Sequence, residues 1–175
     1  VTIMPLGDSI TKGTGTCSLP DTYLNCTGYR DYLWNSLQAN SNYVDFVGSQ
    51  GGEFQYLYTH DNDHEGHGGW TANMIRDNVY GSGYDWLTNT PADVVLLHIG
   101  TNDISGGQDP AGIVSEVNQI LDRIDQYETD NNQHVTVVLA RIINRVPTTS
   151  TNGLNTTQYN NLLQQMADNR VAAGD

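Results

Sequence analysis

Two nearly continuous apolar runs limit the folds open to this chain more than any other feature of its sequence. They span residues 93–99 (DVVLLHI) and 134–143 (HVTVVLARII), and such runs are typical of strands that are covered on both faces of a sheet. Between them, from about residue 110 to 127, apolar residues recur on one stripe at helical spacing. A helix between two buried strands predicts a crossover connection and a parallel sheet.

The same alternation of strands and helices runs along the rest of the chain. Hydrophobic spacing predicts further strands at residues 2–6 and 43–48, and further helices at about 29–38, 71–79 and 157–173. Because 175 residues suit one compact unit, we predict a single α/β domain over residues 1–175. Its expected architecture is a three-layer α/β/α sandwich with a central parallel sheet, and in such folds functional residues lie on loops at the carboxyl ends of strands.

The charge of the chain limits the partners that it can bind. Seven basic and 20 acidic residues give a net charge of −13, which repels phosphate backbones and anionic lipids. We therefore expect no nucleic-acid or membrane partner, and no stretch approaches the ~20 apolar residues of a membrane helix. A neutral polymer such as a polysaccharide meets no such repulsion, although an acidic surface can equally serve solubility alone.

Several weak features together favour a secreted, extracellular protein. Cys17 and Cys26 lie nine positions apart and could close a small loop as a disulfide. Asn25 and Asn155 each begin an N-x-Thr sequon, so both are candidate N-glycosylation sites. The chain has a single lysine, and Val1 starts almost directly in a strand-like run, as a processed mature chain would.

Three loops that follow predicted strands carry residues that could take part in catalysis. Ser9, in the turn GDS at 7–9, could present its hydroxyl to a cleft, or it could belong to an ordinary helix N-cap with Asp8. Asn102, in GTND at 100–103, could donate to an oxyanion or form a simple Asn–Asp turn. Gly66, in the loop at 63–70, could supply a backbone amide donor.

The loop around Gly66 also holds candidate metal ligands. His60, His64 and His67 lie there with Asp61 and Asp63, but their spacing matches no tight zinc pattern. We therefore predict no catalytic metal and no required cofactor. Oxygen ligands suit calcium, so Asp61 and Asp63 remain candidate ligands of a structural calcium.

In combination, these motifs resemble the SGNH (GDSL-type) hydrolase superfamily. Their residues are more similar still to those of carbohydrate esterase family 3, the acetylxylan esterases. The matching segments cover the first three fifths of the chain in the family's order: IMPLGDSIT, YR at 29–30, DFVGSQ at 45–50, DHEGHGGWT at 63–71 and DVVLLHIGTND at 93–103. The resemblance implies the flavodoxin-like SGNH hydrolase fold.

The resemblance also implies roles for individual residues. Ser9 resembles the nucleophile, and the amides of Ser9 and Gly66 with the side chain of Asn102 resemble the oxyanion hole. Asp8 is expected to order the loop. The family's remaining block, an Asp-x-x-His near the carboxyl terminus, supplies the base. It is not in its expected place, and the one literal match, at 61–64, comes before Gly66 and in the wrong order.

Three readings of this departure remain open: the last strand and its Asp-x-x-His block belong to a separate or cleaved segment, the chain is cut short, or it is a relative that only binds. We expect the working histidine to come from beyond Asp175, because none of the five histidines present stands where the family has it.

For function, the resemblance implies a serine esterase that deacetylates plant polysaccharide, xylan first, through an acyl-serine intermediate. We expect the protein to be a monomer. Esterases of pectin acetyl groups and lipid or thioester hydrolases are the alternatives within the same class. Outside it stands a non-catalytic carbohydrate-binding domain, with Tyr56, Tyr58 and Trp70 as stacking platforms.

Overall fold

A parallel sheet organises the chain in the computed structural model, which describes residues 1–14, 27–40, 43–51, 61–144 and 147–175. Its strands are β1 (Thr2–Gly7), β2 (Asp45–Phe46), β3 (Glu65–Gly66), β4 (Val94–His98) and β5 (Thr136–Leu139). They run in the order β2-β1-β4-β5, and β3 also pairs with β1, at the carboxyl end of that strand. Every one of these pairs is parallel, as the two apolar runs predicted.

Helices flank this sheet and complete the predicted α/β/α architecture. They are α1 (Ser9–Lys12), α2 (Arg30–Ala39), α3 (Ala72–Val79), α4 (Trp86–Asn89), α5 (Thr101–Ser105), α6 (Pro110–Asn131) and α7 (Thr151–Ala173). Helix α6 packs between α3 and α7, while α2 places Trp34 edge-on to Phe46 of β2, with ring centroids 5.3 Å apart. Within the described part of the chain, no helix is long and apolar enough to cross a membrane.

The core lies between the sheet and helices α3, α6 and α7. Val95 and Leu97 of β4 are fully buried in it, and Val137 and Leu139 of β5 pack against it. Because side chains alternate between the faces of a strand, Val138 points the other way, and it is 51% exposed. The prediction that the 134–143 run is covered on both faces is therefore wrong for the described residues.

Helix boundaries follow capping residues more than hydrophobic spacing. Asp109 caps α6 by accepting hydrogen bonds from the amides of Ala111 and Gly112, with Pro110 as the first helical residue. The last helix, predicted from about residue 157, begins at Thr151 because Ser150 accepts a hydrogen bond from the Gly153 amide. The apolar stripe starts only at Tyr159, so the stripe alone missed the first six residues of the helix, of which Gly153 and Thr156 are buried.

Several predicted features lie outside the described residues. These are the Cys17–Cys26 pair, the sequon at Asn25, His60, and the proposed stacking residues Tyr56 and Tyr58. The second sequon is described: Asn155 is half-buried on α7, and the Thr157 hydroxyl donates to the Gly153 carbonyl at 3.1 Å. Glycosylation at Asn155 stays a prediction.

Candidate active site

The sheet register brings the three predicted loops to one edge. Gly7, the last residue of β1, pairs with Gly66 of β3 on one side and with His98 of β4 on the other. Ser9 begins α1 directly after β1, and Asn102 lies in α5 directly after β4. The nucleophile candidate and both predicted sources of oxyanion donors therefore lie on neighbouring loops at the carboxyl end of the sheet.

The GDS turn allowed two roles, a helix N-cap and a hydroxyl presented to a cleft, and Asp8 takes the first while Ser9 suits the second. Asp8 is fully buried, and its Oδ1 accepts a hydrogen bond from the Ile10 amide at 2.8 Å, so it caps α1. Ser9 is the first residue of that helix and is half-buried. Neither its hydroxyl nor its amide is bonded to another described residue, which leaves both groups available to a substrate.

Asn102 has its amide group fixed by the neighbouring loop. Its Nδ2 donates to the carbonyl of Trp70 at 2.7 Å. An amide nitrogen carries two hydrogens, so one holds the side chain in place and the second is left to donate. A donor oriented before the substrate arrives is the arrangement that stabilises a developing oxyanion most effectively.

Gly66 has a structural partner for the amide that was predicted to serve the oxyanion hole. The amide donates to Nδ1 of His64 at 2.9 Å in a buried position. Burial, reinforced by the positive charge of Arg30, lowers the pKa of His64 to about 2, so the ring is neutral and can accept this bond. A Cβ at Gly66 would lie 2.4 Å from the Lys12 nitrogen, so this glycine is needed where β3 packs on α1.

The next turn, residues 67–70, offers a different amide. Gly69 is exposed, has a φ of +83°, and would find nothing within 4 Å of an added Cβ. Its amide has no acceptor among the described residues. The turn is closed by a hydrogen bond from the Trp70 amide to the His67 carbonyl at 3.2 Å, and its Trp70 carbonyl is the one that Asn102 binds. Gly69 therefore presents a free donor beside Asn102.

Glu65, which the sequence analysis did not predict as a site residue, holds the turn at residues 67–70 in place. It is fully buried and accepts hydrogen bonds from both the amide and the hydroxyl of Ser49, as well as from Nε2 of His67 at 2.7 Å. The His67 ring stacks against both Trp70 and Trp86, with centroids 4.4 Å and 4.8 Å away, and the two indoles also contact each other, with centroids 5.6 Å apart. With Nε2 bound to Glu65 and the ring packed against two indoles, His67 serves the shape of the loop.

A second missed residue, Tyr159 of α7, supports the loop that carries Asn102. Its hydroxyl donates to the Ile99 carbonyl at 2.8 Å, and burial raises its pKa, which keeps the hydroxyl protonated as a donor. Its ring lies against Gly100, the N-cap of α5, whose φ is +118°. The only sequence signal for this contact is an aromatic residue on the apolar stripe of the helix.

Two buried carboxyl groups lie behind the site. Burial raises the pKa of Asp8 and of Asp103; the hydrogen bond from the Ile10 amide lowers that of Asp8, and the charge of Asp8 raises that of Asp103. Asp103 Oδ1 accepts from the Ala72 amide at 2.9 Å and so joins α5 to α3. Burial also lowers the pKa of His98, which favours the neutral ring.

The metal ligands considered from sequence do not form a cluster in the described residues. No group of three or more His, Cys, Asp or Glu side chains could hold an ion there. The two Asp61 oxygens accept from the amides of Phe46 and Asp63. Calcium binding by Asp61 and Asp63 stays a prediction.

The comparisons with known proteins identify the family of this chain. A family model described as the GDSL-like Lipase/Acylhydrolase family matches residues 6–173. The chain belongs to this family. Its similarity to a multidomain esterase of Ruminococcus flavefaciens is 29% identity over 96% of the chain, but the chain spans only 22% of that curated relative.

Two solved structures show which esterases this GDSL-family chain is similar to. It is 31% identical to a family 3 carbohydrate esterase of Clostridium thermocellum, with a TM-score of 0.70, over 100% of this chain and 74% of that one. It is 27% identical to a family 3 carbohydrate esterase from Talaromyces cellulolyticus, with a TM-score of 0.71, over 97% of this chain and 73% of that one. Both comparisons confirm the predicted family and fold.

Proposed function

We propose that this domain carries the nucleophile and the oxyanion donors of a serine esterase that removes acetyl groups from plant polysaccharide, acetylated xylan first. The observation that carries the proposal is the placement of Ser9, whose hydroxyl bonds to no other described residue, and of an oriented Asn102 amide on neighbouring loops. Similarity to two family 3 carbohydrate esterases supports the substrate class.

The proposed reaction has two steps. The Ser9 hydroxyl gives its proton to a base, and its oxygen attacks the carbonyl carbon of the ester. The bond to the sugar oxygen then breaks, the sugar leaves as an alcohol that takes the proton from the base, and an acetyl-serine remains. Water attacks this second ester, releases acetate and restores Ser9. In each step the carbonyl oxygen becomes an oxyanion, which hydrogen-bond donors at the site stabilise.

We assign the oxyanion donors to the Ser9 amide, the second hydrogen of Asn102 Nδ2, and the Gly69 amide. Gly66 was the predicted backbone donor, but its amide already bonds to His64 inside the fold. Gly69 is exposed beside the carbonyl that Asn102 binds, so its amide can donate without breaking an internal bond.

The base is proposed to come from a segment outside these 175 residues that carries an Asp and a His. No described histidine bonds to the Ser9 hydroxyl, and His64 and His67 are engaged with Gly66 and Glu65. A cavity of about 370 Å³ beside α1 could receive such a segment; its lining includes Ile10, Gly13, Tyr29, His98, Arg141 and Ile143. We further propose secretion and a monomeric state for the protein.

Ser9→Ala tests the proposal in the full-length protein. With nitrophenyl acetate, the wild type is expected to release a burst of nitrophenol equal to the enzyme concentration. The variant is expected to show no burst and to lose many orders of magnitude in turnover, because the alanine cannot form the acyl intermediate. Retention of more than about a tenth of wild-type turnover would exclude Ser9 as the nucleophile.

The substrate assignment needs its own measurement. Acetate release from acetylated xylan is expected to exceed release from acetylated pectin at equal ester concentration, and long-chain nitrophenyl esters are expected to react poorly. A preference for pectin or for long acyl chains would replace xylan while leaving the serine mechanism intact. A protein that binds xylan without any burst would instead be the non-catalytic relative.

A further inference from the structure

Arg30, the first residue of α2, is buried in contact with backbone that carries the active site. Only 1% of it is exposed. Its Nε donates to the Thr11 carbonyl at 3.0 Å and its Nη2 to the Lys12 carbonyl at 3.3 Å. Its Nη1 donates to both the carbonyl and the Oδ1 of Asn62, at 2.7 Å and 2.9 Å. One guanidinium therefore holds two separate loops.

The first of these loops is the turn that carries the nucleophile. Helix α1 has only four residues, and a single helical turn is not stable on its own. The last carbonyls of any helix lack partners within it, and here Arg30 supplies donors to those of Thr11 and Lys12. Together with the Asp8 cap at the other end, these bonds fix the direction in which α1 presents Ser9.

The second loop leads to the oxyanion side of the site. Asn62 is 4% exposed and lies three residues before β3, the strand that places Gly66 against the Lys12 backbone. Residues 67–70, which hold the free Gly69 amide and the Trp70 carbonyl, follow β3 directly. The guanidinium thus ties together the backbone on both sides of the space where an ester carbonyl would bind.

We propose that Arg30 is a positioning residue for ester hydrolysis, which keeps Ser9 in register with the oxyanion donors of the neighbouring turn. The inference rests on the proposed function. Because Arg30 is buried, it does not touch the substrate, so its loss acts on the alignment of reacting groups. Displacements of about 1 Å lower rates roughly a hundredfold, and alignment lost in this way appears in kcat.

The experiment compares Arg30→Met and Arg30→Lys with the wild type in the full-length protein, well below the melting temperature of each. We expect kcat for nitrophenyl acetate to fall roughly 10- to 100-fold in both variants, with KM changed less than about twofold. Lysine restores the charge, but its compact ammonium cannot span the two loops as the guanidinium fork does. Arg30→Ala should recover part of its kcat when millimolar guanidinium is added.

Two control variants separate positioning from stability and from charge. Ile120→Ala removes a buried side chain of α6 and lowers stability away from the site. Arg76→Met removes one positive charge from a side chain that bonds to Asp77 and Gln119. Both controls are expected to keep wild-type kcat while folded, and guanidinium is expected to leave their rates unchanged.

The outcomes distinguish the two proposals. A nitrophenyl phosphonate should label Ser9 in the wild type, and absence of labelling there would overturn the proposed function. If the wild type is labelled but Arg30→Lys hydrolyses nitrophenyl acetate with the same kcat as the wild type, Arg30 is only structural and the positioning inference fails. A loss confined to KM, or one equal to that of Ile120→Ala, would also overturn it. Should Arg30→Met not fold, the lysine variant alone decides.

Discussion

Gly100→Ala is expected to disturb both stability and activity, because Gly100 lies between the sheet and the oxyanion loop. An added Cβ would come within 2.8 Å of Tyr159 Cζ and 2.9 Å of its hydroxyl oxygen, distances that side chains do not tolerate. The ring is fully buried and its hydroxyl is bonded to the Ile99 carbonyl. Tyr159 therefore cannot move aside without leaving that carbonyl without its donor.

Two effects add in this variant. Gly100 has a φ of +118°, and a residue with a Cβ is strained in such a conformation by about 1–2 kcal/mol. Overpacking in a well-packed core adds typically 1–3 kcal/mol. We therefore expect the free energy of unfolding to fall by about 2–5 kcal/mol in total. For a domain of this size, roughly 2–4 °C is lost per kcal/mol.

Gly107→Ala is the matched control, because it isolates the backbone effect. Gly107 has a φ of +82° but nothing within 4 Å of its Cβ position. Urea unfolding of both variants gives the two losses, and their difference measures the contact with Tyr159. We expect a difference of at least about 1 kcal/mol, and a fall in kcat for Gly100→Ala alone. Equal losses in the two variants would show that Tyr159 does not support the Asn102 loop.

Two further predictions concern α5. Asn102→Ala is expected to lower kcat by about a hundredfold or more with little change in KM, because the donor acts on the oxyanion; an effect on KM alone would make Asn102 a ground-state binding residue. Burial raises the pKa of Asp103 above its ordinary value of 3.8, so the folded state favours the protonated carboxyl. The contribution of Asp103 to the free energy of unfolding is therefore complete below pH 3.8 and is lost as the pH rises through the raised pKa. Asp103→Asn keeps an oxygen for the Ala72 amide, and urea unfolding at pH 4 and pH 7 should show a smaller loss with rising pH than in the wild type. An identical loss in both proteins would contradict the assignment.

The fold was predictable because burial leaves a periodic signal in the sequence. The apolar run at 93–99 became β4, and the apolar stripe that follows it became α6. From a parallel sheet, the meeting of the loops after β1 and β4 follows directly, since neighbouring strands end at the same edge. The placement of Ser9 and Asn102 on neighbouring loops is a consequence of the pairing of β1 with β4.

Contacts between distant residues left no comparable signal. Arg30 appeared in the sequence only as part of a YR match, yet it bonds to residues 18 to 32 positions away. The choice between Gly66 and Gly69 depends on whether a buried His64 ring accepts an amide, which spacing does not encode. Similarly, the exposed face of β5 at Val138 looks in sequence like any buried strand.

On the proposed function, the site separates groups that would react from groups that hold them. Asp8 and Arg30 fix the turn of Ser9, while the Trp70 carbonyl fixes Asn102. The holding groups are bonded before any substrate is present, so the proposed oxyanion donors would need no rearrangement when charge develops. What these loops lack, among the described residues, is an acceptor for the proton of Ser9. A segment that supplies the base would therefore complete the proposed site, and on that proposal its arrival would govern the activation of the nucleophile more than the stabilisation of the oxyanion.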